Sequence, residues 1–423
     1  MRLLSQKNAV FALALLSGAA VFAGAMDRPV GIKIGQRMTL KPYVSASFAY
    51  DSNVDARKNG AEDFSWLVSP GLGLQYTAET WTLVANVWYQ YNDYVKGNSV
   101  YQTSYQSYGE DVTYHWQSSL PGEKGWSLML SEKYEHLNHV SDNNNAMWYG
   151  NNCDRDEFKF AGSLQRRFTE TLHANLNANY YWLDYDLSNK GTQYGLYGWD
   201  RWGVGLEAAY VLSKWTDLIF AGSYQRYTSE NRNTSDMRGN SFGQSYGAQG
   251  VTAQIGIGSY ATDRITYRGL LGWSSYEYDE NKGESSDGVS YTVAANWTIS
   301  DTWKTMILAT SWYQPSEREF GSSTRVDSIS WGITHAMVQG KLHASLDLAY
   351  RREGREYAGD AGYDYDVDYL TGRLGLTYIL NRYIQFYGNL EYMDSTCEQS
   401  NSARGQMYDY DRFRGTLGLR FTY

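Results

Sequence analysis

The sequence predicts an all-β fold, a transmembrane antiparallel barrel of about 18 strands with both termini on the periplasmic side. Three observations predict it: strict two-residue alternation, regularly spaced turn signals, and a composition that scatters apolar residues singly. The last strand shows the alternation. Phe413, Leu417, Leu419 and Phe421 share one face, ending on Tyr423, while Arg414, Thr416, Gly418, Arg420 and Thr422 share the other. One face suits lipid and the other suits water. The chain holds 39 Tyr, 15 Trp, 41 Gly and only 5 Pro, and its mean hydropathy is negative although 42% of residues are hydrophobic. A wall with lipid outside and water inside needs that dispersion.

From the amino terminus, Arg2 and Lys7 precede an apolar run over 9–23, and Ala23-Gly24-Ala25 supplies small residues for signal-peptidase cleavage. Residues 1–25 are therefore expected to be a signal peptide, with the mature chain starting at Met26. No Cys lies near the site, which argues against a lipoprotein anchor. Residues 26–39 read as a periplasmic segment and 40–423 as the barrel. No later apolar run is long enough for a helical span.

Eight short turn signals follow, at 78–80, 119–125, 169–171, 213–217, 261–264, 300–303, 337–341 and 380–383. Between them lie longer polar stretches such as 51–63, 140–155, 230–245 and 395–406. Eight turns and nine loops join eighteen strands, an even number. Alternation recurs strand by strand. Leu172, Ala174, Leu176, Ala178, Tyr180 and Trp182 oppose His173, Asn175, Asn177 and Asn179, and Val289 to Trp297 repeats the pattern. The weakest hairpin is 324–337, where Arg325 and Asp327 interrupt the pattern. Ile329, Trp331 and Ile333 keep it a strand, against a sixteen-strand alternative. Pro42, Pro121 and Pro315 are expected at strand ends or in turns. Pro70 falls inside a strand and requires a bulge or a lost ladder bond.

Trp81, Trp126, Trp215 and Trp303 flank the short turns, and Tyr89, Tyr180, Trp182, Tyr276, Tyr278, Trp312, Tyr350 and Tyr392 lie at the far strand ends. They read as two interfacial girdles.

The first strand and its loop, 42–54, carry Tyr50, Asp51 and Asn53 at the bend, where Asp and Asn can bond their own backbone. This segment resembles the opening of the putative β-barrel porin 2 family, and the terminal strand resembles the assembly signal of Gram-negative outer-membrane proteins. The resemblance implies an outer-membrane barrel, in some cases associated with surface polysaccharide systems. It also implies contact with lipid, lipopolysaccharide and the barrel-assembly machinery.

Eighteen strands enclose more space than side chains fill, so the expected interior is a water channel. Parity directs Lys133, Arg167, Arg201, Arg268, Arg351, Arg373, Arg414 and Arg420 inward, with Glu135, Glu207, Asp347 and Glu391. Four of the arginines fall on the last four strands. They make a basic wall for an anion or a sugar hydroxyl, or a set of wall salt bridges such as Arg351 with Asp347. The expected function is passive diffusion of small hydrophilic solutes. The alternative is a surface-binding or polysaccharide-export accessory barrel with a plugged lumen.

Other chemistry is weaker. His343, Ser345 and Asp347 share a strand face, but that spacing keeps nucleophile and base apart, and His136 and His139 have opposite parity. No catalytic or metal site is expected, and no cofactor. Asp364, Asp366 and Asp368 share a face that, above the bilayer, could meet cation-bridged lipopolysaccharide. Solvation is the simpler reading. A net charge of −9 gives no reason to expect nucleic acid. Cys153 and Cys397 fall in the third and ninth long loops on this reading and, as an isolated pair in a secreted chain, are expected to form a disulfide that pins 140–155 across the pore.

Overall fold

The computed structural model describes residues 31–54, 60–96, 104–118, 125–137, 154–186, 198–213, 215–230, 234–235, 241–242, 246–259, 264–279, 285–315, 323–338, 340–356, 365–398 and 409–423. Residues 1–25, expected to be a signal peptide, and Pro121, His139, Cys153 and Asp364 lie outside them.

The barrel strands are β1 Met38–Asp51, β2 Asp63–Thr77, β3 Trp81–Tyr94, β4 Ser104–Gln117, β5 Trp126–Leu137 and β6 Asp154–Arg167. They continue with β7 Leu172–Asp186, β8 Gly198–Ser213, β9 Thr216–Glu230, β10 Tyr246–Ser259, β11 Ile265–Tyr278 and β12 Ser286–Thr298. The last six are β13 Trp303–Pro315, β14 Ser323–Met337, β15 Leu342–Glu356, β16 Tyr365–Ile379, β17 Ile384–Cys397 and β18 Tyr410–Thr422. Each pairs antiparallel with its sequence neighbours, and β1 pairs with β18 to close the barrel. A short strand, Ile32–Ile34, folds back on Met38–Leu40. The strands run from 12 to 16 residues. That exceeds the roughly 9–11 residues a tilted strand needs to cross hydrocarbon, so the barrel stands proud of the bilayer on the loop side.

β14 is a full strand, paired along its length with both neighbours, so the eighteen-strand count holds. Arg325 and Asp327 sit at its loop end and satisfy each other, Nε to Oδ2 at 3.0 Å. Pro70 causes no register shift: β2 keeps one register with β3, and pairing lapses only at Ser69 and Pro70. The lost ladder bond is the solution, not a bulge. Pro42 lies inside β1 rather than at its end. It fits there because pairing with β18 begins only at Tyr43.

The registers fix two faces. Outward lie Val44, Trp66, Leu206, Phe220, Ile255, Leu271, Val293, Ile329, Leu374 and Leu417, all exposed as a lipid-facing wall must be. Trp81, Trp126 and Trp303 face outward near the short turns, and Tyr89, Tyr180, Trp182, Tyr350 and Tyr392 face outward near the loop ends. Tyr276, Tyr278 and Trp312 do not belong to the outer girdle. Tyr276 pairs with Gly250, Tyr278 with Ala248 and Trp312 with Val326, all inward positions.

Charge on the outer face is confined to its edges with one exception. Among the described strand residues, outward charged groups lie at the eleventh position or beyond from the short-turn end, or within the first three. Only Glu110, eighth from the end of β4, and Glu132, seventh in β5, sit in the middle of the belt. They are diagonal neighbours, since Glu110 pairs with Tyr134 and Val112 with Glu132.

Candidate functional site

The lumen wall divides by chemistry into a charge-rich side and a charge-poor side. The charge-rich side runs over β15–β18 and β1. Its inward groups include five arginines, Arg351, Arg373, Arg412, Arg414 and Arg420, and four carboxylates, Asp347, Glu353, Glu391 and Asp51. Arg373 donates from Nε to Glu391 at 2.6 Å and stands opposite Asp347 in the ladder. Arg351 reaches Glu353 at 2.5 Å, not Asp347. The two acids lie on opposite sides of Arg351 along the strand, and Asp347 is matched to Arg373 across it. Arg420 stacks on Tyr43, 4.1 Å from its ring centroid.

The strongest cluster is at the seam. Asp51 and Arg412 are 6% and 5% exposed. Arg412 donates from Nε to both carboxylate oxygens at 3.0 and 3.1 Å and from a terminal nitrogen to Oδ2 at 2.6 Å. Arg414 adds a contact at 3.2 Å. The Asn53 amide donates to Asp51 Oδ1 at 3.0 Å, closing the bend the sequence anticipated, and Asn53 Nδ2 reaches the Asp411 carbonyl at 3.0 Å. Sequence reasoning missed Arg412. Its inward parity was readable, but its partner lies 361 residues away. Tyr50 points outward and donates to Glu62 at 2.9 Å. That bond, then Lys96, holds the Glu62 carboxyl below the ordinary range.

The remaining expected lumen charges are inward and engaged. Lys133 meets Glu135 at 2.7 Å. Arg268 on β11 crosses β10 and β9 to reach Glu207 on β8 at 2.6 Å. Arg201 lies over Tyr181 at 5.9 Å. Arg167 instead caps a short turn, donating to the carbonyls of Thr169 and Glu170, each at 3.3 Å. Beside Lys133, Glu157 receives Lys159 at 2.7 Å and Arg155 at 2.6 Å, a further cluster that the sequence reading omitted.

The charge-poor side spans β7–β10, where the registers set cross-strand rows in order, with Glu207 and Arg201 bounding a stretch of uncharged residues. One row is Asn175, Glu207, Ala221 and Gln254; the next is Asn177, Gly205, Ser223 and Thr252. Above come Asn179, Gly203, Gln225 and Gly250, then Tyr181, Arg201, Tyr227 and Ala248. Toward the loops, Leu183, Trp199, Tyr227, Tyr276 and Tyr278 pack into a buried aromatic cluster on the inner surface.

His343 donates from Nε2 to the Gly340 carbonyl, 2.7 Å away, and makes no bond to Ser345 or Asp347 among the described residues. His136 contacts Asp156 at 2.9 Å on the outer face. Asp366 pairs with Arg352, and Asp368 accepts from the Tyr350 hydroxyl at 2.6 Å, also outside. Cys397 is the last residue of β17 rather than a loop residue, buried against Val367 and Tyr369.

Residues 27–422 match the family model described as putative beta-barrel porin 2. The chain belongs to that family. Family membership and the closed eighteen-strand barrel place it in the bacterial outer membrane. A search of curated proteins finds no match. Similar solved structures include the siderophore receptor PirA from Pseudomonas aeruginosa, at 7% identity, covering 93% of this chain and 81% of that one, with a TM-score of 0.44. The ferric-catecholate import receptor Fiu from E. coli K12 matches at 10% identity, 92% and 82% coverage and a TM-score of 0.45. The FrpB iron transporter from Neisseria meningitidis matches at 9% identity, 93% and 83% coverage and a TM-score of 0.49.

Proposed function

We propose that the protein is an outer-membrane channel for passive diffusion of small hydrophilic solutes. The supporting observation is the inner face of the closed barrel, polar on one side and salt-bridged on the other, in a barrel of a size that leaves an aqueous lumen. Purified, heat-modifiable protein in planar bilayers should give stable open steps. Folded protein that never conducts overturns the reading.

A second reading, a surface-binding or polysaccharide-export accessory barrel without an open pore, draws on the buried aromatic cluster on the inner surface of β7–β11. On either reading the C-terminal strand is the segment offered to the barrel-assembly machinery. We also propose a Cys153–Cys397 disulfide. Cys397 faces inward at the loop end of β17, Cys153 immediately precedes β6, and these strands are separated around the rim, so the bridge requires one loop to fold over the mouth. Intact mass of the unreduced protein should be two protons below the reduced mass. Conductance unchanged on reducing a proven bridge removes its role in narrowing the pore.

A further inference from the structure

We propose that the charge-poor lumen wall holds a binding recess for one ring of a neutral polyhydroxy solute, a sugar or cyclic polyol. The inference deepens the reading of the lumen as a solute path and rests on it. A recess of ≈ 260 Å³ opens on β7–β10. That lies just under the roughly 300–1,000 Å³ of sites for drug-sized ligands, a scale suited to a single small ring.

Its depth comes from missing side chains. Gly205 and Ala221 form its back. A Cβ at Gly205 would meet the Gly222 carbonyl oxygen only at 3.5 Å and Ser223 Cβ at 3.6 Å, ordinary packing distances. Nothing in the backbone demands glycine there, and any larger side chain would occupy the recess.

The lining chemistry selects the solute. Asn177, Asn179, Ser223 and Gln225 face the recess, and none has a side-chain hydrogen bond among the described residues. Each amide offers both donors and an acceptor, and a serine hydroxyl offers one donor and two lone pairs. A sugar hydroxyl, itself donor and acceptor, can use both kinds at once, whereas a simple ion can use only one. The charge at the floor is already neutralised, because Glu207 is bound by Arg268 at 2.6 Å. One row above the amides, Tyr227 is buried in the aromatic cluster, with Tyr181 packed against it. Floor, back and amides thus arise in consecutive cross-strand rows of one wall. The opposite wall differs in its charges, most of which are paired with one another.

The test uses full-length protein folded in an amine-oxide detergent, since maltosides and glucosides would compete. D-glucose, trehalose and myo-inositol are titrated and followed by saturation-transfer NMR. Saturable binding of at least one probe is expected, at least tenfold weaker in Gly205→Met, which fills the recess. If that variant does not fold, Asn179→Ala with Gln225→Ala should weaken binding in its place. No saturable binding of any of the three, or binding that filling the recess or removing its amides leaves unchanged, overturns the proposal. Conductance in sugar-free salt separates the two readings. A barrel that conducts but binds no probe loses the recess and keeps the channel. One that binds but never conducts loses the channel.

Discussion

The two lumen walls are built from the same alternation and finished in opposite ways. On β15–β18 and β1, most of the inward charges are neutralised within the wall, and the most buried pair, Asp51 with Arg412, closes the seam. On β7–β10 the rows between Glu207 and Arg201 carry inward amides, hydroxyls and small residues, four of them unpartnered among the described residues. Charges that pair across strands fix which residues stand next to one another and leave little for a visitor. Uncharged groups tolerate hydration at low cost and stay available. The charge-rich wall reads as the frame of the barrel and the charge-poor wall as its contact surface.

The sharpest way to break that contrast is at the seam. Asp51→Ala takes the paired carboxylate from a buried Arg412, and removing one partner of a buried pair typically costs about 3–5 kcal/mol. The expected outcome is loss of the heat-modifiable folded band or a large drop in urea midpoint. The double change Asp51→Asn with Arg412→Leu should recover part of that stability. If Asp51→Ala unfolds at the wild-type urea concentration, the seam pair is not a frame element.

Glu110 and Glu132 test the same logic from the lipid side, where a charge has neither water nor a salt partner among the described residues. A basic residue at the bilayer centre costs about 2–4 kcal/mol on a barrel wall, and a carboxylate less. Glu110→Leu with Glu132→Leu should therefore raise stability in phosphatidylcholine bilayers by about 1–3 kcal/mol. No gain, or a loss, means that these carboxylates have a partner in the membrane.

The smallest effect is expected at Arg373, half exposed and paired with Glu391. Arg373→Gln should cost no more than about 1 kcal/mol, as exposed ion pairs do. In a salt gradient the variant should shift the reversal potential toward cations, more at low ionic strength than at high. A destabilisation comparable with that at the seam would make the whole wall cooperative rather than one latch with a fringe.

Much of this architecture was legible in the sequence because a period of two assigns a face to each residue without knowledge of its neighbours. That is why Lys133, Glu207, Arg268, Asp347 and Arg420 can be assigned to one face from the sequence alone. Partnership is a different quantity, since it depends on the register between strands separated by loops. Along one strand, Asp347 and Glu353 both lie near Arg351, and only the ladder decides that Asp347 stands opposite Arg373. Tyr276 and Tyr278 looked like girdle residues because aromatics at strand ends are expected there. Counting from Leu271 and Trp273 would have turned them inward. Cys397 was misplaced by the few residues by which strand ends always blur.

The seam also sets an order of events during assembly. Asp51 and Arg412 are separated by nearly the whole barrel sequence, while every other strand pairing joins sequence neighbours. Hairpins can form progressively as the chain is delivered, each closing a short loop, but the first strand must wait with an open edge until the last one arrives. Its buried carboxylate has no guanidinium to meet before then. Maturation of this protein therefore finishes in a single late step, and any truncation that removes the final strand leaves an exposed template rather than a smaller barrel.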